Sequence, residues 1–127
     1  MIKLIAFDID DTLTKEPRTV PQANLDAVKR AQDAGIFVTV ATGRGFHGSS
    51  YIWQAMGVQG PIINYGGAVI NDTVTGKALY TTELDPNVVR ELLALAKELN
   101  VHAHIYQGDG IVFAEENPYV DAYSQKL

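Results

Sequence analysis

The 127-residue chain predicts an α/β fold: a parallel-sheet core followed by the start of an α+β unit. Three observations predict it. Short apolar runs at residues 2–7 and 36–41 flank a helical pattern at 21–34, which makes a strand, helix, strand unit. Each run stops at a polar, chemically loaded turn: Asp8-Ile9-Asp10-Asp11-Thr12 after the first, and Thr42-Gly43-Arg44-Gly45 after the second. From Leu84 onward the alternation ends, and one helical pattern is followed by two short strand patterns. The expected division is therefore 1–82 for the first unit and 83–127 for the second.

Residues 2–7 (Ile-Lys-Leu-Ile-Ala-Phe) read as a buried parallel strand. A loop holding Pro17 and Pro21 follows, and Leu25, Val28 and Ala31 then form one apolar face of a helix that stops at Gly35. Residues 36–41 (Ile-Phe-Val-Thr-Val-Ala) are β-rich. A crossover of this kind is right-handed and lays its two strands parallel, so both C-terminal ends share one edge. Residues 46–56, closed by Gly57, suggest a second helix, and 61–64 a third short strand. Residues 68–71 and 78–81 flank the turn-rich Asp72–Lys77 stretch as a hairpin. Asp85-Pro86 opens a helix whose apolar stripe runs from Val88 to Leu99, expected to form the core of the second unit. Strands at about 101–106 and 111–114 and a helix capped at Asn117-Pro118 complete the pattern.

Composition narrows the function classes. With 46% hydrophobic and 20% charged residues the chain is too apolar for intrinsic disorder. A net charge of -5, with no basic stripe, disfavours nucleic-acid binding. Cysteine is absent, so disulfides and thiolate metal sites are impossible and any metal must use oxygen or imidazole ligands. The N-terminal apolar run is too short for a signal-peptide core, and no stretch approaches the ~20 residues that span a bilayer. The expectation is a cytoplasmic protein without membrane partners.

Asp8, Asp10 and Asp11 place three carboxylates within four residues at the end of a strand. Carboxylates converging on one site repel each other unless a cation intervenes. Magnesium suits such a site because it takes hard oxygen ligands and keeps waters and phosphate oxygens in its shell. In open α/β sheets ligands bind beyond the carboxyl ends of the strands, where both Asp8 and Thr42 fall. A threonine hydroxyl and the backbone N–H groups of a Gly-rich turn suit a phosphoryl group. Together these point to phosphate handling.

These residues carry a resemblance. Ile5-Ala6-Phe7-Asp8-Ile9-Asp10-Asp11-Thr12-Leu13 is similar to the first motif of the haloacid dehalogenase superfamily, Asp-x-Asp-x-Thr after an apolar strand. Val38-Thr39-Val40-Ala41-Thr42-Gly43-Arg44 resembles its second motif, and the Gly66–Ile70 hairpin with its Thr-Gly-Lys turn resembles the Cof-type phosphatases. The resemblance implies an HAD-like Rossmannoid core, here incomplete, followed by the start of an α+β cap. It implies a Mg2+-dependent phosphatase of small phosphorylated metabolites that works through an aspartyl-phosphate. Asp8 would be the nucleophile and a metal ligand, and Asp10 the general acid/base, lending its backbone carbonyl to the metal. Thr42 would hold the phosphoryl group, with Gly43 and Arg44 lining the mouth that faces substrate. Thr12 would brace the loop. Asp11 stands where the Cof-type group usually has Gly, and Gly66 where it has the Asn of Asn-Gly-Ala, while Asn64 lies two residues earlier.

The family also needs a third-motif Lys and a fourth-motif acidic pair. Lys77 falls in a hairpin turn, Lys97 on a helix and Lys126 in the expected cap, and Gly108-Asp109-Gly110 reads as a turn. The chain therefore reads as the N-terminal part of a longer phosphatase, with little activity by itself and with strand edges open to self-association. The alternatives are a noncatalytic phosphate-binding module and a receiver-like signalling module. The latter needs an acceptor Asp at the end of its third strand, and residues 61–66 contain none. Among the remaining residues, Tyr51 and Trp53 read as packing residues and His47 as a helix-start surface residue. His102 and His104 alternate on one strand face, but without a third ligand they read as exposed residues or later cap contacts.

Overall fold

The computed structural model describes residues 1–14, 19–108 and 110–124. Pro17, Asp109 and Lys126, assigned above to a loop, a turn and the cap, lie outside the described residues. The chain divides into two compact units, Met1–Thr81 and Thr82–Leu127.

In the first unit, strand β1 (Leu4–Phe7) leads through helix α1 (Gln22–Asp33) to strand β2 (Phe37–Val40). The two strands pair in parallel with Leu4 opposite Phe37 and Phe7 opposite Val40, so both end at the same edge. The helix ends where Gly35 takes a φ of +78°, a left-handed conformation that costs glycine little. A 3-10 turn (His47–Ser49) runs into helix α2 (Ser50–Ala55), so the helix expected over 46–56 opens as a tighter coil. Strand β3 (Pro61–Asn64) continues beside β2 through a parallel bridge from Ala41 to Ile63 and a 2.6 Å hydrogen bond from the Thr39 hydroxyl to the Pro61 carbonyl. Strands β4 (Val69–Asp72) and β5 (Ala78–Thr81) then add antiparallel.

The core of this unit packs Val28 of α1, Val38 and Val40 of β2, Ile52 of α2 and Ile62 of β3 around Ile9, which is fully buried. Burial follows strand position. β2, flanked on both sides, buries Val38, Thr39 and Val40, whereas β1 buries none of its four residues and leaves Leu4 55% exposed. The expectation of a buried first strand is corrected here. Among the described residues β1 pairs only with β2, so its far edge has no covering neighbour.

The second unit holds helix α3 (Pro86–Glu98), strands β6 (His104–Gln107) and β7 (Gly110–Phe113) paired antiparallel, and helix α4 (Pro118–Ser124). The Asp85 carboxylate caps α3 by accepting from Asn87 N–H at 2.7 Å, and Pro86 takes the first helical position, where no N–H is needed. Two expectations fail in this unit. The strand begins at His104 instead of 101, leaving His102 in the preceding segment. The apolar stripe of α3 is not a core: the helix has no buried residue, and Leu92, Leu95 and Leu99 are exposed. An apolar period specifies a face that suits burial, but not whether the described residues supply a partner for it.

Candidate phosphoryl-binding site

The site grows from the two turns that follow β1 and β2. Ile9 anchors the first. Its side chain is buried, and its carbonyl accepts from the backbone N–H groups of Thr12, Leu13 and Thr14 and from the Thr14 hydroxyl. This tight loop turns Asp8 and Asp10 outward, and both are exposed. The Thr12 hydroxyl donates to Asp8 Oδ2 at 3.3 Å, bracing the carboxylate. Closure of the loop forces Asp11 to a φ of +59°. That left-handed region is one glycine enters freely and Asp tolerates better than most residues, so an acid can stand where the Cof-type group usually has Gly.

The second turn is held from β3. Thr42 N–H donates to the Ile63 carbonyl at 2.9 Å and the Thr42 carbonyl accepts from Gly66 N–H at 3.0 Å. Thr42 itself is buried, and its hydroxyl accepts from Arg44 N–H at 3.1 Å, a role that leaves the hydroxyl proton available for donation. Asn64, fully buried at the end of β3, donates through Nδ2 to the Arg44 carbonyl at 3.0 Å and to the Ser49 hydroxyl at 3.2 Å. It therefore serves as an internal brace of the turn. Its Oδ1 is buried without a hydrogen-bond partner.

Arg44 joins the two turns. Its Nε donates to Asp10 Oδ2 at 2.9 Å and its second terminal nitrogen to Asp10 Oδ1 at 2.6 Å, a bidentate fork. The other terminal nitrogen donates to the Tyr51 hydroxyl at 2.9 Å and to the Gly48 carbonyl at 3.3 Å. The hydrogen bond to Asp10 is the main reason the guanidinium pKa rises, against the opposing effect of burial, with Tyr51 adding to the rise. Arg44, expected to line the mouth that faces substrate, directs its guanidinium onto Asp10. The side chain of Asp10 stays 56% exposed, so the pair contributes roughly 1 kcal/mol or less.

Asp8, Asp10, Thr42, Gly43 and Arg44 thus all lie on the two turns at one end of the parallel pair, and Asp10 and Arg44 touch. Tyr51 joins them through its hydroxyl, a role that the packing assignment missed. The signal in the sequence is a phenol seven residues, about two helical turns, beyond Arg44. Gly45 shows a further dependence, because a Cβ there would run into the Tyr65 phenol ring. Among the described residues no group of three or more Asp, Glu or His side chains is placed to hold a metal ion. No helix among them is long and apolar enough to cross a membrane.

The parallel strand pair thus carries an acidic turn and a Thr-Gly-Arg turn at one edge of an α/β core, and comparison with known proteins shows the family to which that core belongs. The model of the haloacid dehalogenase-like hydrolases matches residues 5–126, and the chain belongs to that family. It is 36% identical over 102 residues to 5-amino-6-(5-phospho-D-ribitylamino)uracil phosphatase YitU of Bacillus subtilis, a match covering 78% of this chain and 37% of that protein. It is 31% identical over 110 residues to HMP-PP phosphatase of Yersinia pestis, covering 87% of this chain and 40% of that one. Among solved structures, a haloacid dehalogenase-like hydrolase from B. subtilis superposes with a TM-score of 0.81 at 28% identity over 96% of this chain and 42% of the other. A HAD/COF-like hydrolase from Plasmodium vivax gives 0.79 at 29%, over 98% and 46%. The chain spans about two fifths of the length of the curated relatives it matches.

Proposed function

We propose that the chain contributes the nucleophile-bearing part of a Mg2+-dependent phosphatase of small phosphorylated metabolites, and that by itself it turns over weakly. The observation that carries this reading is the Arg44 fork on Asp10, which ties the acidic turn to the Thr42 turn at a single strand edge. Family membership and the phosphatase names of its relatives support it, one of those names specifying a phosphorylated ribitylaminouracil.

In this reading an Asp8 carboxylate oxygen attacks phosphorus, forming an O–P bond as the ester P–O bond breaks. Asp10 enters this step protonated, once the arriving anion has drawn Arg44 away from it; it gives its proton to the departing oxygen and then, as a carboxylate, takes one from the water that cleaves the acyl phosphate, which restores the acid. The Thr42 hydroxyl donates to a phosphoryl oxygen, and Gly43 leaves the approach open, since nothing lies within 4 Å of where a side chain would begin. Arg44 passes from Asp10 to the arriving anion. The donor set fits a hard cation: the Asp8 carboxylate and the Asp10 backbone carbonyl would hold Mg2+, with waters completing its shell. When bound, the metal offsets the negative charge brought together by carboxylate and phosphate. Self-association through the open β1 edge belongs to the same proposal.

Phosphoryl transfer rests on positioning and charge stabilisation, so a site lacking the family's Lys and its acidic pair should be slow. The test is hydrolysis of an aryl phosphate with Mg2+ by this chain and by Asp8→Asn. Slow release that the substitution abolishes is expected. Rapid turnover by the chain alone would refute its incompleteness, and release unchanged in Asp8→Asn would refute the role of Asp8.

A further inference from the structure

The two imidazoles of the second unit form a chain of contacts whose polarity can be assigned. Asn117, just before α4, accepts through Oδ1 from the backbone N–H groups of Tyr119 at 3.0 Å and Val120 at 3.2 Å, capping the helix. Its orientation is thereby set, because a flipped amide would point N–H at N–H. Its Nδ2 then faces the Glu115 carbonyl at 3.2 Å and His102 Nδ1 at 3.1 Å. His102 Nδ1 must present a lone pair, so the proton of the neutral ring sits on Nε2 and points at His104 Nδ1, 3.1 Å away. His104 in turn carries its proton on Nε2. Tyr119 stacks on His102 with ring centroids 5.9 Å apart, and Tyr106 meets His104 edge-on at 5.5 Å.

An added proton breaks this order wherever it lands. On His102 Nδ1 it confronts the Asn117 N–H. On His104 Nδ1 it forces His102 to accept at Nε2 and to move its own proton to Nδ1, with the same result. The conflict with His102 is relieved if the Asn117 amide turns over, but Oδ1 then gives up the Tyr119 and Val120 N–H groups and faces the Glu115 carbonyl; Val120 N–H keeps the Asn117 backbone carbonyl at 3.0 Å, so Tyr119 N–H is the group left without its cap. We propose that Asn117 is a proton-operated latch that caps α4 while His102 and His104 are neutral and releases it when the pair takes up a proton. A metal on His102 Nε2 would also place the ring proton on Nδ1, against Asn117, so these contacts favour a proton relay over chelation.

Among the described side chains, the other titratable groups on the surrounding elements are Tyr106 on β6, Tyr119 and Asp121 on α4, and Glu115 and Glu116 in the segment before it. Burial first, and the neighbouring His102 second, hold His104 below its ordinary value of 6.5. The folded chain therefore binds less proton than the unfolded one. The stabilisation is complete above the unfolded value and is lost as pH falls through the lower folded one.

NMR on the full chain from pH 8 to 5 tests the latch. At pH 8, long-range proton-nitrogen correlations should show both rings protonated at Nε2. Hydrogen-exchange protection of the Tyr119 amide, corrected for its intrinsic rate, should fall about fivefold as the histidines titrate, the scale of a lost cap, while Val120, still bonded to the Asn117 carbonyl, changes less. His102→Gln should flatten that response. Asn117→Asp, with acceptors on both sides, should keep the cap at low pH while raising the His102 midpoint. A His102 proton on Nδ1 at pH 8, protection indifferent to the titration, a persisting response in His102→Gln, or a wild-type response in Asn117→Asp would each overturn the proposal.

Discussion

At the residue scale, the left-handed Asp11 shows how a tight acidic turn limits its own sequence. A φ of +59° is tolerable for Asp and poor for a β-branched residue. Asp11→Gly should therefore change stability by no more than about 0.5 kcal/mol, and Asp11→Val should lower it by ~1–2 kcal/mol, read from urea unfolding midpoints. Equal effects of the two would show that the loop does not require this conformation. Most of the site was legible at this scale, because Asp8, Asp10, Thr42 and Arg44 stand in short local motifs at strand ends. Two things were not. In the sequence Asn64 is only an amide at the end of a strand, two residues before Gly66; its role as a brace shows once its two donor bonds, 15 and 20 residues away in sequence, are known. The Tyr51 hydroxyl reads as packing until the direction of Arg44 is known. Both depend on where separate turns meet, which periodicity does not encode.

At the element scale, strands and helices followed their patterns, with β3 over residues 61–64 as expected, but burial did not always follow. Both β2 and α3 carry apolar residues suited to burial, yet β2 is enclosed and α3 has no buried residue. A pattern states what an element can bury, while its neighbours decide what it does bury. Ile52 and Leu95 make the contrast measurable. Ile52→Ala, at a fully buried position, should cost ~2–5 kcal/mol through lost burial and a cavity. Leu95→Ala, at a position 49% exposed, should stay within about 0.5 kcal/mol. Unfolding midpoints would separate them, and a Leu95 effect as large as that of Ile52 would mean that α3 is covered after all.

At the scale of the whole molecule, the open β1 edge and the exposed stripe of α3 leave apolar surface that an isolated chain would hide. Light scattering during size-exclusion chromatography should show a mass that rises with concentration, and Leu92→Lys with Leu99→Lys should reduce the rise. A monomer at every concentration would show that these surfaces do not associate. All of the chemistry, however, rests on the two turns forming one anion site. The direct measurement is an NMR titration of the chain with Mg2+ and beryllofluoride, a phosphate mimic. Shifts confined to the amides of residues 8–12 and 42–45, lost in Asp8→Asn, are predicted; shifts elsewhere, or the same shifts in Asp8→Asn, would contradict the account.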